Sequence, residues 1–104
     1  MEKPQFSQSV EVFFIDMYTV YILYSVNFDK FYVGQTDNMD DRIRRHNGGY
    51  NLSTKPYRPW MIKLTIPKAT RADAMLLERK LKNLSKDRLS KFISKYASAG
   101  ADEA

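Results

Sequence analysis

Nine consecutive residues, Met17–Ser25, leave little choice of fold. They read MYTVYILYS and are apolar on both faces when laid out as a strand. Tyr18, Val20, Ile22 and Tyr24 fall on one side, and Met17, Tyr21 and Leu23 on the other. A strand of that kind belongs in the middle of a sheet that is covered on both sides. A second apolar run, Phe31–Thr36, follows a loop of turn-type residues, Val26-Asn27-Phe28-Asp29-Lys30, so the pair predicts a β-hairpin. If Ser25 pairs with Lys30, Tyr21 lies opposite Gly34 and Leu23 opposite Tyr32. Cross-strand partners share a face, which puts both tyrosine hydroxyls on one side of the sheet. Gly34 has no side chain there and lets another group approach closely.

The hairpin runs into a helix. Asp37 or Asn38 is a good N-cap, and Asn47-Gly48-Gly49 is a strong stop. Met39, Arg42, Ile43 and His46 follow the i, i+3, i+4, i+7 spacing of a core-facing stripe, while Asp40, Asp41, Arg44 and Arg45 take the outer face. An arginine on an inward stripe must find partners or line a wet cleft, because an unpaired buried charge is costly. Arg42 and His46 are therefore either a paired structural set or site residues.

Residues 47–59 form a turn-rich loop that interleaves Lys55 and Arg58 with Tyr50 and Tyr57, a mixture suited to phosphate contact and base stacking. A third strand is expected over Trp60–Ile66, bounded by Pro59 and Pro67. Thr70 then caps a helix with Asp73 three residues on. Its inward stripe is Ala74, Leu77, Glu78, Leu81 and Leu84, so Glu78 is a carboxylate on an apolar face. Ser85 caps a last helix with Leu89, Phe92, Ile93 and Tyr96 on one side. The expected fold is a small α/β domain in the order ββαβαα, with a three-stranded, mainly antiparallel sheet flanked by helices.

At 104 residues the chain is long enough for one domain with a modest core. Its 43% hydrophobic and 13% aromatic content is that of a folded chain. The absence of cysteine excludes a disulfide framework, a zinc knuckle and a thiol nucleophile, and it suits a cytoplasmic location. No apolar run is long enough to span a membrane. Charge is distributed unevenly. Residues 1–41 carry 2 basic and 7 acidic side chains, whereas residues 42–95 carry 15 basic and 3 acidic. That basic block is the footprint expected for a polyanionic partner such as nucleic acid.

Val20-Tyr21-Ile22 followed by Tyr32-Val33-Gly34 resembles the paired signature of the GIY-YIG endonuclease family, with Val20 in place of the first glycine. The resemblance continues through Gly34-x-Thr36, Arg42-x-x-x-His46-Asn47, Ser53-Thr54-Lys55 and Pro59-Trp60, and ends at Glu78. Each element alone is weak; order and spacing together carry the likeness. It extends over residues 17–96 as one nuclease-like domain and is greatest to short single-domain bacterial members. Such members usually begin near the equivalent of Met17. Residues 1–16, whose Val10–Ile15 can also be read as an edge strand, are expected to be a dispensable leader, and residues 97–104 a flexible tail.

The resemblance implies a metal-dependent endonuclease that hydrolyses phosphodiester bonds in DNA, with branched or damaged DNA in repair or recombination as a candidate substrate. It implies a catalytic set of Tyr21, Tyr32, Arg42, His46 and Glu78, with Glu78 holding one Mg²⁺ or Mn²⁺. Gly34, Thr36, Thr54, Lys55 and Arg58 are the expected substrate-binding residues.

The residue chemistry suits those roles. A single carboxylate can hold Mg²⁺ together with waters and phosphate oxygens. Arginine offers a planar fork for phosphate. A tyrosine can orient water, but serves as a base only if its pKa is lowered, whereas histidine is matched to neutral pH. Which group takes the proton stays open. Two other classes fit the same residues: a non-catalytic nucleic-acid-binding module, and a subunit that cuts only when a protein partner brings the substrate.

Overall fold

The computed structural model describes residues 17–103. Strand β1 (Tyr18–Ser25) lies between β2 (Lys30–Thr36) and β3 (Met61–Lys68), and both neighbours run antiparallel to it. The hairpin register pairs Ser25 with Lys30, Leu23 with Tyr32 and Tyr21 with Gly34. Helix α1 spans Met39–Gly48, a short 3-10 turn spans Lys55–Tyr57, and helices α2 (Arg71–Lys82) and α3 (Lys86–Glu103) close the chain. The order is the expected ββαβαα.

Each helix starts where its sequence offers a capping oxygen. Asn38 Oδ1 accepts the Asp41 N–H at 3.0 Å, Thr70 Oγ1 the Asp73 N–H at 3.1 Å, and Ser85 Oγ the Arg88 N–H at 3.2 Å. Helix α1 ends at Gly49, whose φ of 82° lies in the left-handed region that favours glycine. At the hairpin, Asp29 takes φ 51°. The Tyr24 hydroxyl donates to its carboxylate at 2.7 Å, and Lys86 at the start of α3 pairs with the other oxygen.

The two faces of β1 build two cores. Val20 and Ile22, with Val33, pack against Ala74 and Leu81 of α2 and Leu89 of α3. Tyr21 and Leu23 pack on the opposite side with Trp60, flanked by Met39 and Ile43 of α1. Burying a side chain of this size stabilises by roughly 1.5–3 kcal/mol, so both faces anchor the fold.

Strand β3 departs from expectation. It runs to Lys68 with Pro67 inside it, paired with Thr19, instead of ending at Ile66. An edge strand tolerates a proline whose nitrogen faces the open side, because no ladder bond is lost. The register also shifts: Ile22 faces Leu64 but Leu23 faces Ile62, which leaves Lys63 as the extra residue of a bulge. Helix α3 continues to Glu103. The expected leader, including Val10–Ile15, lies outside the described residues. Leu76 is exposed on α2, and nothing in the structure explains it.

Candidate active site

The inward stripe of α1 delivers His46 into the second core, where it is 1% exposed. Both ring nitrogens have partners. Nε2 lies 3.0 Å from the Tyr21 hydroxyl, and Nδ1 lies 2.8 Å from Thr54 Oγ1. The Thr54 hydroxyl is turned toward the Asn51 carbonyl at 3.3 Å, a group that can only accept. One tautomer gives all three protons an acceptor: Thr54 donates to Asn51, His46 Nδ1–H donates to Thr54, and Tyr21 donates to His46 Nε2. A neutral imidazole whose other nitrogen is fixed by a hydrogen bond is thereby oriented as an acceptor.

Tyr32 completes a ring cluster. Its centroid is 5.0 Å from that of His46 and 6.3 Å from that of Tyr21. Gly34 lies directly beneath the Tyr21 phenol, and a Cβ there would sit 2.5 Å from Tyr21 Cζ. The glycine is required because the tyrosine passes through the volume a side chain would fill.

Arg42 reaches the same hydroxyl from the half-buried part of its stripe. Burial pushes the Tyr21 hydroxyl up to about 12, with Tyr32 adding to the rise and the Arg42 guanidinium pulling the other way. Burial also lowers the His46 pKa below its ordinary value, and the Arg42 charge adds to this. Among the described residues Arg42 forms no ion pair. Its charge faces a cleft of about 440 Å³ that it lines with Arg45, His46, Tyr50 and Ser53.

Glu78 is brought to the Tyr32 side of the cluster. Its side chain is 20% exposed and pairs with Lys82, one turn on, at 3.0 Å. The Lys82 ammonium in turn lies 5.9 Å from the Tyr32 ring centroid. A structural ion pair between Glu78 and Arg42, the alternative raised by their two inward positions, is not formed. Among the described residues no three His, Cys, Asp or Glu side chains converge. A single carboxylate such as Glu78 is a donor that a hard cation keeping most of its shell as water could accept.

The expected substrate-binding residues divide. Lys55 and Arg58 are exposed at the C-terminal end of α1, where Arg58 Nε donates to the Lys55 carbonyl at 2.9 Å. Thr36 is buried and closes the turn into α1, accepting the Asn38 N–H at 3.1 Å. Thr54 is 1% exposed and faces His46. Its hydroxyl is turned inward, onto the His46 ring, and not toward the surface.

Sequence reasoning missed two supports. Asn47 clamps Trp60 through both its amide groups, accepting the Trp60 N–H at 2.6 Å and donating to its carbonyl at 3.0 Å. Trp60 Nε1–H donates to the Thr54 carbonyl at 2.9 Å, which locks the loop behind His46. Lys82 was also missed, although its spacing of four from Glu78 on one helix was a visible signal.

Residues 17–93 match the family model of the GIY-YIG catalytic domain. Among solved structures the chain is similar to the UPF0213 protein of Bacillus halodurans, determined by NMR in solution. The two are 28% identical, with a TM-score of 0.51 over 75% of this chain and 83% of that one. No curated protein matches the chain.

Proposed function

Because the chain belongs to the GIY-YIG family of nuclease catalytic domains, we propose that it is a divalent-metal-dependent endonuclease that hydrolyses phosphodiester bonds in DNA. The observation that carries this is the hydrogen-bonded chain from Tyr21 through His46 to Thr54, set beside an unpaired Arg42 guanidinium at an open cleft.

In this reading Tyr21 orients the attacking water. As the water loses its proton to the Tyr21 oxygen, the phenol proton moves to His46 Nε2, so no free phenolate is needed at neutral pH. That matters because a hydroxyl with a pKa near 12 is a poor source of phenolate. Thr54 holds the imidazole in the accepting tautomer. Arg42 binds the non-bridging oxygens of the phosphate and offsets charge that develops there. Tyr32 forms the opposite wall. Glu78 would hold the cation, which when bound supplies charge neutralisation at the phosphate and leaving oxygen. Lys82 holds the carboxylate in place in the free protein through its 3.0 Å ion pair.

Lys55 and Arg58 contact flanking phosphates in this proposal, as part of the basic block of residues 42–95. Branched or damaged DNA met in repair or recombination is the proposed substrate class, in a cytoplasmic setting, with a protein partner as a possible targeting aid. No helix of the described residues is long and apolar enough to cross a membrane. The experiment is incubation of the protein with a panel of labelled branched and linear DNAs, with and without Mn²⁺. Metal-dependent scission is expected. Binding to the whole panel with no scission of any member would reduce the protein to a non-catalytic binding module.

A further inference from the structure

Two side chains at the mouth of the cleft have no role in that scheme. Leu52 is 82% exposed and Tyr50 is 77% exposed. Their backbone is not loose. The Tyr50 N–H donates to the Arg45 carbonyl at 3.1 Å, and Asn51 Oδ1 accepts both the N–H and the hydroxyl of Ser53, at 3.1 and 2.8 Å. An ordered turn thus presents an aromatic and an aliphatic group to solvent at the mouth of the cleft.

The Tyr50 ring rests on Gly48. A Cβ at that glycine would come within 2.9 Å of Tyr50 Cε2, so the absent side chain makes room for the ring. Tyr50 also borders two concavities. One is the 440 Å³ cleft that holds Arg42 and His46; the other is a groove of about 940 Å³ on the outer side of α1, lined by Arg44, Arg45 and Asn47. It is the partition between a groove that carries two arginines beside Asp41 and Ile43, and the cleft of Arg42 and His46.

We propose that Tyr50 is a stacking platform for an unpaired base beside the scissile phosphate, and that Leu52 is the wedge that keeps that base out of the duplex. The inference rests on the nuclease reading above and deepens it by naming the substrate feature. An aromatic ring stacks on any base that offers a free face, without reading its sequence. Inside a continuous duplex both faces of every base are covered by neighbours. Only a flap, a frayed end, a bulge or a single strand presents such a face. An apolar tip such as Leu52 can separate base steps without adding a hydrogen bond, and Arg44 and Arg45 hold the phosphates leading to it.

The test uses the full chain without divalent metal and two DNAs. One is a duplex whose short flap begins with 2-aminopurine; the other is a continuous duplex with 2-aminopurine paired at the same position. The flap base is expected to be quenched on binding. Tyr50→Ser should abolish the quench and weaken flap binding about ten-fold, with duplex binding changed by less than about two-fold. Tyr50→Phe should keep both properties, and Leu52→Ser should reduce the preference for the flap. All three should melt with the parent, since both side chains lie outside the core. Equal loss of affinity for both DNAs in Tyr50→Ser, or an intact quench, would overturn the proposal. A parent protein that binds both DNAs without quenching the flap overturns it alone; one that binds neither removes the nuclease reading as well.

Discussion

Tyr21 on β1 and His46 on α1, 25 residues apart in sequence, are joined by a hydrogen bond of 3.0 Å inside the protein. The bond ties the central strand to the helix that packs on it, and it joins the proposed water-orienting group to the proposed proton acceptor. Tyr21→Phe keeps the ring and deletes the donor. Leaving a buried polar atom without its partner costs about 1–3 kcal/mol, so the variant should fold with a lowered melting temperature. Cleavage should drop by roughly 10²–10⁴, the usual scale for a lost acid–base group. Wild-type cleavage rates in Tyr21→Phe would exclude the relay.

The same histidine should make the fold acid-sensitive. Its pKa is lowered in the folded state, by burial first and by the Arg42 charge second. The folded chain therefore holds fewer protons on this group than the unfolded chain does. The stability so contributed is full above the unfolded pKa of about 6.5 and is lost as pH falls through the lower folded value. Thermal melts between pH 5 and 8 are the measurement. The wild type should lose more stability on acidification than His46→Gln; parallel curves would show that His46 titrates normally.

Gly34→Ala should act on Tyr21 without touching it chemically. The added methyl occupies the place of the phenol, 2.5 Å from its Cζ, in a layer with no slack. Overpacking of this kind costs about 1–3 kcal/mol. Both the melting temperature and the cleavage rate should fall, whereas an alanine on the exposed side of α1 should leave them alone.

For Glu78 the structure sharpens the expected outcome. Its partner is Lys82 on the same helix, and i,i+4 pairs contribute only about 0.3–0.5 kcal/mol. Glu78→Gln should therefore melt close to the wild type. Its cleavage with added Mn²⁺ should fall by orders of magnitude while metal-free DNA binding persists. A variant that is stable and fully active removes Glu78 from the site.

Binding should weaken steeply with salt, because each neutralised phosphate releases counterion. Lys55→Ala with Arg58→Ala should shallow that slope by roughly two and weaken all DNA sequences alike. A titration of affinity against salt concentration decides it, and a salt-independent affinity would count against a phosphate-led interface.

The fold was legible because its signals are local. The two-faced apolar run of β1, the turn at Asp29, and the caps at Asn38, Thr70 and Ser85 each announce an element without reference to the rest of the chain. Arg42, His46 and Glu78 also stood out, as polar groups on apolar stripes. The partners of those groups were not legible. That Glu78 does not meet Arg42 depends on how α2 lies against the sheet, which no local pattern encodes, whereas its pairing with Lys82 four residues on is local. Thr54 reads as a loop hydroxyl until the loop is seen to fold behind His46. Pro67 misled for the opposite reason: proline marks a strand end by default, and only the edge position of β3 permits it inside.

Alternate residues of β1 serve different masters. Val20 and Ile22 belong to the helical side, Tyr21 and Leu23 to the side of His46. A slip of one position against β2 would turn the tyrosine under α2 and α3 and bring an aliphatic group to the imidazole. On the proposed mechanism such a molecule would not be a slow enzyme; it would lack the phenol–imidazole relay altogether. Intermediate activities are then not available to mispaired forms, and the turnover of a preparation counts the molecules whose hairpin closed correctly. On that mechanism, activity becomes a census of register.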